Sequence, residues 1–324
     1  MIPTGFLSRG LVAAVLLSAG TSVAVAQSGA VTVYTSMAEP AIAAVEMAFE
    51  TAYPDIDVTV LRLVTGNLTT RFASEAETGI NSADVLIIAT PVLFRTHPEW
   101  FVNMEAAGIP NYDSWPEQFK QGNHAQALFG VNTIFYNTDN VSPEDAPNSW
   151  QDLLDPRWKG TSVMIDPASS ETYMSWAFNM RKAFGDDFLA GLADQDLVIA
   201  SGGLDAAQAV ASGAADISFS AMSNQAEGLL AQGAPIGVLE VSGPALGNEH
   251  SIGIAANGPN PQNAKIFANW FLSAQGQSAG CIGTAASGLG EVEGCKALPP
   301  DFVTPSFDLP QAEVDEILAL LGLS

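Results

Sequence analysis

The chain has 324 residues, 48% of them hydrophobic, and carries 11 Lys and Arg against 35 Asp and Glu, a net charge of −24. This length suits two domains with real cores, and the apolar content excludes a disordered chain. Nucleic acid and anionic membrane surfaces would repel such an acidic protein, although overall charge does not fix the sign of a local pocket.

At the N-terminus, Arg9 precedes an apolar run over residues 11–17 and a small-residue stretch ending Ala24-Val25-Ala26. That is the pattern of a cleavable secretory signal peptide over residues 1–26, with a mature start near Gln27 and export to the periplasm. The run is interrupted by Ser18, Gly20, Thr21 and Ser22, short of the roughly 20 apolar residues that span a bilayer. No later segment approaches that length, so a soluble monomer without stable membrane insertion is expected. Removing the leader leaves 10 basic against 35 acidic residues, a net charge of −25. Cys281 and Cys295 are the only cysteines. An even count in an exported chain, with no C-x-x-C spacing and no nearby His, predicts a structural disulfide. Closing so short a loop is worth about 3 kcal/mol in the chain-entropy description.

The expected mature chain opens on an alternating strand, Val31-Thr32-Val33-Tyr34-Thr35, followed by a helix with Ile42, Val45, Phe49 and Tyr53 at helical spacing. Pro54 stops that helix, and Val58, Val60, Leu61 and Leu63 read as a second strand. Thr65-Gly66-Asn67 turns the chain into a helix carrying Leu68 and Phe72. The continuous run Val85-Leu86-Ile87-Ile88 predicts a strand buried on both faces. Strands alternating with helices imply a parallel α/β lobe. The same grammar restarts after Phe129-Gly130-Val131, with strands at 162–165, 197–200 and 217–220 and helices from Glu171, over 203–212 and from Asn224. A strand at 252–255 and a helix at 263–272 read as a return to the first lobe, so the chain changes lobe near Gly130 and near His250, making a hinge.

Strand ends repeatedly run into helix starts rich in Ser, Thr, Gly and Asn: Thr35-Ser36, Thr65-Gly66-Asn67, Ser169-Ser170-Glu171-Thr172, Ser201-Gly202-Gly203 and Ser223-Asn224. Open parallel sheets bind ligands beyond the carboxyl ends of their strands, and helix N-termini there offer N–H groups that favour anions. Each start alone is also an ordinary N-cap. Arg71, one turn into a helix at such a start, is the best-placed cation for direct contact, with Arg62 and Arg95 behind it. Glu249 and His250 are expected to meet an amine or hydroxyl at the other end of a ligand. Tyr34 could line the same cleft. His97, His124 and His250 fall in no metal-binding spacing, and no nucleophile elbow, S-x-x-K or phosphate loop occurs. No enzyme activity, cofactor or metal is expected.

The segments VTVYTS, ADVLIIATP, NSWQDLLDPRWKGTSVMIDPASS and NPQNAKIFANWFLSAQGQ resemble the extracellular solute-binding family that includes periplasmic ferric-iron-binding proteins and relatives for organophosphates, phosphonates, thiamine and polyamines. The resemblance implies a type II periplasmic binding protein fold: two doubly wound α/β lobes joined by a hinge. Residues 27–129 and 250–300 would form lobe 1, residues 130–249 lobe 2, and residues 301–324 a C-terminal helical segment packed on the lobes. It implies an ABC importer's solute-binding component that closes on a small-molecule ligand and presents it to a permease with its ATPase. The ligand would lie near Ser36, Gly66-Asn67, Ala89-Thr90, Ser169-Ser170 and residues 219–225, which include Ser220, Ser223 and Asn224. Ferric-iron members carry two adjacent tyrosines in that last stretch, where this chain reads SFSAMSNQAEG. The iron activity is therefore not carried over, and the helix starts favour a small polar organic anion, such as a phosphonate, phosphate ester or carboxylate. Ferric iron and polyamines are the alternatives within the family, and an enzyme or a chemoreceptor accessory protein the alternatives outside it.

Overall fold

The structure, a computed structural model, describes Met1, residues 28–282 and residues 285–323. The leader's residues 2–26 and the expected mature start at Gln27 lie outside the described residues.

The first lobe begins β1 (Gly29–Thr35), α1 (Glu39–Ala52), β2 (Ile56–Arg62), α2 (Thr65–Thr78), β3 (Val85–Ile88) and α3 (Val92–Thr96). Pro40 sits in the first turn of α1, where its missing N–H costs nothing, and the helix ends before Pro54. α2 ends at Gly79, whose φ of 74° is the left-handed C-cap that glycine adopts without strain. β1 lies parallel between β2 and β3, pairing Val31 with Val58 and Val33 with Val85. All four residues of β3 are buried, because helices cover both faces of the sheet. On one face Val33 and Ile87 pack against Phe49 of α1; on the other Leu86 and Ile88 pack with Leu68, Phe72 and Phe94.

After a one-turn α4 (Pro110–Asp113), β4 (Ala125–Asn137) leads to the second lobe, built from β5 (Ser162–Ile165), α5 (Glu171–Phe184), α6 (Asp186–Ala193), β6 (Val198–Ala200), α7 (Gly203–Ala211), β7 (Ile217–Met222), α8 (Glu227–Ala231) and β8 (Ile236–Leu239). β9 (Gly247–Ile254) returns to the first sheet, followed by α9 (Pro261–Phe271), α10 (Ala274–Gly280), the two-residue β10 (Ala286–Ser287) and α11 (Gln311–Leu320). Strand order is β2-β1-β3-β9-β4 in the first sheet and β6-β5-β7-β4-β8 in the second. The two lobes thus share one doubly wound topology. Trp150, Leu153 and Trp158 pack into the second lobe's core with Trp176, Phe188 and Phe219. Ile317 and Leu321 of the C-terminal segment join the same core, so α11 belongs with the second lobe.

β4 is shared by both sheets. Its residues 125–131 pair with β9, and residues 132–137 pair with β7 and β8. The two strands are closest where Gly130 donates its N–H to Asn248 Oδ1 at 3.1 Å and where a Cβ on Gly247 would lie 1.7 Å from the Gly130 carbonyl oxygen. A further segment runs beside them: Val303 donates its N–H to the Ala245 carbonyl at 2.8 Å, and Ser306 donates its N–H to Ser175 Oγ on α5 at 2.7 Å. Cys281 and Cys295 are disulfide-bonded, as expected, and Cys281 packs in the first lobe's core.

Several elements differ from the sequence expectation. Around Phe129-Gly130-Val131, where the sequence marks only the point at which the second lobe restarts, the 13-residue β4 crosses from one sheet to the other. β9 begins at Gly247 instead of residue 252, and the helix expected from Asn224 is a 3₁₀ turn at Ser223–Gln225 followed by α8. Substituting Gly247 by Ala should destabilise the protein by at least about 2 kcal/mol, since the backbone oxygen it meets cannot move aside. Gly66→Ala, where a Cβ meets nothing within 4 Å, should stay within about 1 kcal/mol of the parent. Urea midpoints of the two variants check both signs.

Candidate functional site

The carboxyl ends of β1 and β3 form one wall of the cleft between the lobes. Ser36 fastens them: its N–H bonds the Ile87 carbonyl at 3.0 Å and its Oγ accepts from the Ala89 N–H at 2.9 Å. Thr35 is fully buried, its Oγ1 accepting from the Met37 N–H at 3.1 Å, so it shapes the turn and presents no free hydroxyl. Gly66 and Asn67 are exposed in the first turn of α2, whose N-cap, Val64, contributes no side-chain bond.

The cations are distributed differently from the expectation. Arg71 is half-exposed, pairs through Nε with Glu75 at 2.9 Å, and lies 5.8 Å over the Tyr34 ring. Tyr34, nearly buried, donates its hydroxyl to the same Glu75 carboxylate at 3.0 Å. These three side chains satisfy one another. Arg95 pairs with Asp308 at 3.0 Å. Arg62, at the end of β2, donates Nε to the Met37 carbonyl at 3.0 Å, which fixes a guanidinium beside the Ser36-Met37 turn. Among the described residues Arg62 has no carboxylate within ion-pair distance.

The opposite wall is the start of α5. Ser169 Oγ donates to the Asp166 carbonyl at 2.7 Å, and Ser170 caps the helix, its Oγ accepting from the Tyr173 N–H at 3.4 Å. Thr172 is partly buried behind them. Glu171 reaches across: Thr90, 4% exposed on the first lobe, donates its hydroxyl to Glu171 Oε2 at 3.3 Å. Burial raises the pKa of Glu171, the Thr90 bond opposing and the Asp308 charge adding to it. The α7 start, by contrast, is filled by the chain itself. Tyr173 accepts from Gln225 Nε2 at 2.7 Å, while Gln225 Oε1 accepts from the Met222 N–H at 2.9 Å. A Cβ on Gly203 would come within 2.0 Å of that glutamine.

Between the walls lie residues 220–224 and the two hinge strands. Ser220 is buried with φ 63°, a left-handed conformation uncommon for serine, and Asn132 Nδ2 donates to its carbonyl at 2.7 Å. Ser220 Oγ and Asn132 Oδ1 are buried without a hydrogen-bond partner among the described residues. Ser223 is buried and Asn224 exposed. Neighbours Glu249 and His250 point to opposite faces of β9. Glu249 is 0% exposed, accepting from Ser251 Oγ at 3.1 Å and from Gln126 Nε2. It therefore faces the interior instead of the cleft, and burial pushes its pKa up to about 7, against those hydrogen bonds and the Arg95 charge. His250 keeps some exposure beside the Ser36 main chain, and burial lowers its pKa to about 4.

Glu249 makes stability depend on pH with a definite sign. Its carboxyl keeps its proton up to about pH 7 when folded but releases it near 4.5 when unfolded, so its contribution is full below pH 4.5 and lost as pH rises to 7. His124 and His250, lowered to about 3 and about 4, slope the other way below 6.5. Glu249→Gln should leave the histidine slope and remove the carboxyl's, so that the stability difference between variant and parent changes by on the order of 3 kcal/mol between pH 4.5 and 7. A pH-independent difference in chemical-denaturation free energies would contradict this.

Comparison with known proteins places this architecture. The structure superposes on iron-bound HitA from Pseudomonas aeruginosa (TM-score 0.68, 20% identity, 91% of this chain and 97% of that one). It likewise matches an ABC-transporter substrate-binding protein from Agrobacterium tumefaciens (0.75, 16%, 91% and 96%) and AfuA from Actinobacillus pleuropneumoniae with fructose-6-phosphate bound (0.65, 21%, 91% and 97%). At these identities the likeness is one of fold: two doubly wound α/β lobes joined by a hinge. An uncharacterized protein of Haemophilus influenzae is 31% identical over 156 residues, 46% of this chain, and the match spans less than half of that relative's length, 43%. A family model described as bacterial extracellular solute-binding protein matches residues 44–288, most of the chain. With that match added to the shared fold, the chain belongs to the bacterial extracellular solute-binding protein family.

Proposed function

We propose that this protein is the periplasmic, monomeric solute-binding component of an ABC importer, exported by a cleavable leader. It closes lobe 1 (residues 27–129 and 250–300) on lobe 2 (residues 130–249) around a small polar organic anion and presents it to a permease driven by an ATPase. The solute is a phosphonate, phosphate ester or carboxylate that also carries a hydroxyl or amine. The binding protein itself makes and breaks no covalent bond; the ATPase supplies the energy of transport by hydrolysing ATP.

The observation that carries the anionic reading is Arg62. It is a guanidinium at the strand ends with no ion pair among the described residues, held at 3.0 Å by the Met37 carbonyl, next to the uncapped start of α2. A bidentate guanidinium and unpaired helix-start N–H groups are together suited to a phosphonate or carboxylate. Glu171, facing Thr90 across the cleft, takes the part the sequence had given to Glu249: an acceptor for the solute's hydroxyl or amine. Against a ferric-iron reading, Tyr34 and Tyr173 have their hydroxyls engaged by Glu75 and Gln225. Among the structural neighbours, two hold iron, one of them together with citrate, and another holds fructose-6-phosphate.

A thermal-shift panel of phosphonates, phosphate esters, carboxylates, polyamines and ferric salts tests the class. An anion at 100 times its dissociation constant adds about 2.7 kcal/mol, several degrees at roughly 2–4 °C per kcal/mol. Arg62→Ala should abolish most of that shift, whereas Arg71→Ala should retain it. Stabilisation by polyamines or ferric iron, with none by any anion, would sink the anionic reading.

A further inference from the structure

We propose that the segment after Phe302 is a strap whose Asp308 latches onto Arg95 of α3 and, together with the Thr90–Glu171 bond, holds the cleft closed without solute. The proposal rests on the lobe-closure reading and adds a device that sets its resting point. Three observations carry it.

First, the two partners of the ion pair belong to different lobes. Arg95 sits on α3 in the first lobe, five residues after Thr90, whose Oγ1 also accepts from the Val92 N–H at 3.3 Å. Asp308 is fixed to the second: Ser306 is bonded to Ser175 of α5 at 2.7 Å, Phe307 is 9% exposed, and Leu309 packs on the core that holds Trp176 and Ile317. Second, Asp308 has φ 60°, in the left-handed region that non-glycine residues seldom occupy, aspartate being among those that tolerate it. The flanking contacts hold that conformation and with it the carboxylate. Third, a second bond crosses between the same two lobes: Thr90, before α3, donates its hydroxyl to Glu171 Oε2 at the start of α5 at 3.3 Å.

An exposed ion pair is weak in folding terms, yet open and closed states differ by little, so a weak pair is enough to set their ratio. Apparent affinity then scales with the closed fraction, and the latch tunes solute capture from outside the solute's own contacts. High salt should release it, because both side chains are half-exposed.

Pulsed electron spin resonance distances between labels at Met47→Cys on α1 and Lys182→Cys on α5 read the lobe separation in the otherwise intact protein, whose native cysteines are bonded. Without solute, Arg95→Ala and Asp308→Asn should each raise the open-to-closed ratio by up to about fivefold. The double variant should do no more than either single one, and the exchanged pair Arg95→Asp with Asp308→Arg should restore closure. A solute-free parent with the same distance distribution as both single variants overturns the latch. If 2-aminoethylphosphonate, glycerol 3-phosphate or a hydroxycarboxylate, each an anion with a donor group, shortens the distance in that parent, lobe closure stands without the latch. One unchanging distance in parent and variants, with and without each of these three, removes both.

Discussion

The close passage of two backbones at Gly130 and Gly247 is the constraint on which the rest of the molecule depends. β4 and β9 must approach until no Cβ can fit between them, because one strand serves both sheets and the other returns the chain to the first. Strands paired edge to edge resist stretching and shear but can twist and bend. The lobes they join therefore keep their own cores while their relative angle can change. Two polar side chains at the crossing, Asn132 and Asn248, bond the Ser220 carbonyl and the Gly130 N–H, backbone groups that an interrupted ladder leaves unpaired, where β4 changes partners and its register with β7 shifts. Such interruptions cost stability in an ordinary sheet. Here they lie where the two strands pass from one lobe to the other.

Electrostatics divides the cleft. The first lobe offers Arg62 and the α2 start, and the second offers the Glu171 carboxylate above a capped helix. An acidic chain with few cations cannot leave them idle: Arg71 and Arg95 are paired with Glu75 and Asp308. Arg62 is left without a carboxylate partner among the described residues, and the proposed solute, with an anionic end and a donor end, follows from its separation from Glu171 on the other lobe. Tyr173 and Gln225 fill the α7 start with a bond between their own side chains.

Much of the fold was legible in the sequence, because its signals are local. The unbroken apolar run of β3, the alternation of β1, Pro54 after α1 and the even cysteine pair each report on their own neighbourhood. β8 was not legible: Ile236-Gly237-Val238-Leu239 is a short run with a glycine, and its pairing to β4 is a tertiary fact. The same holds for β4, whose length is set by partners that lie far away in sequence. In the site, helix starts could be read as caps, and the Arg71–Glu75 pair was open to reading from its i,i+4 spacing. Glu249 and His250 look alike in sequence as adjacent polar residues. Only the direction of β9 and the burial of one of its faces decide that Glu249 enters the interior. Asp308, Gln225 and Arg62 gained their parts from neighbours that no local pattern announces.

Native mass spectrometry of the protein isolated gently from the organism's own envelope tests the central claim most directly. One small organic molecule per chain, lost on unfolding and identified by fragmentation as a phosphonate, phosphate ester or carboxylate, is the predicted result. Retention of a ferric ion or a polyamine in its place would contradict it.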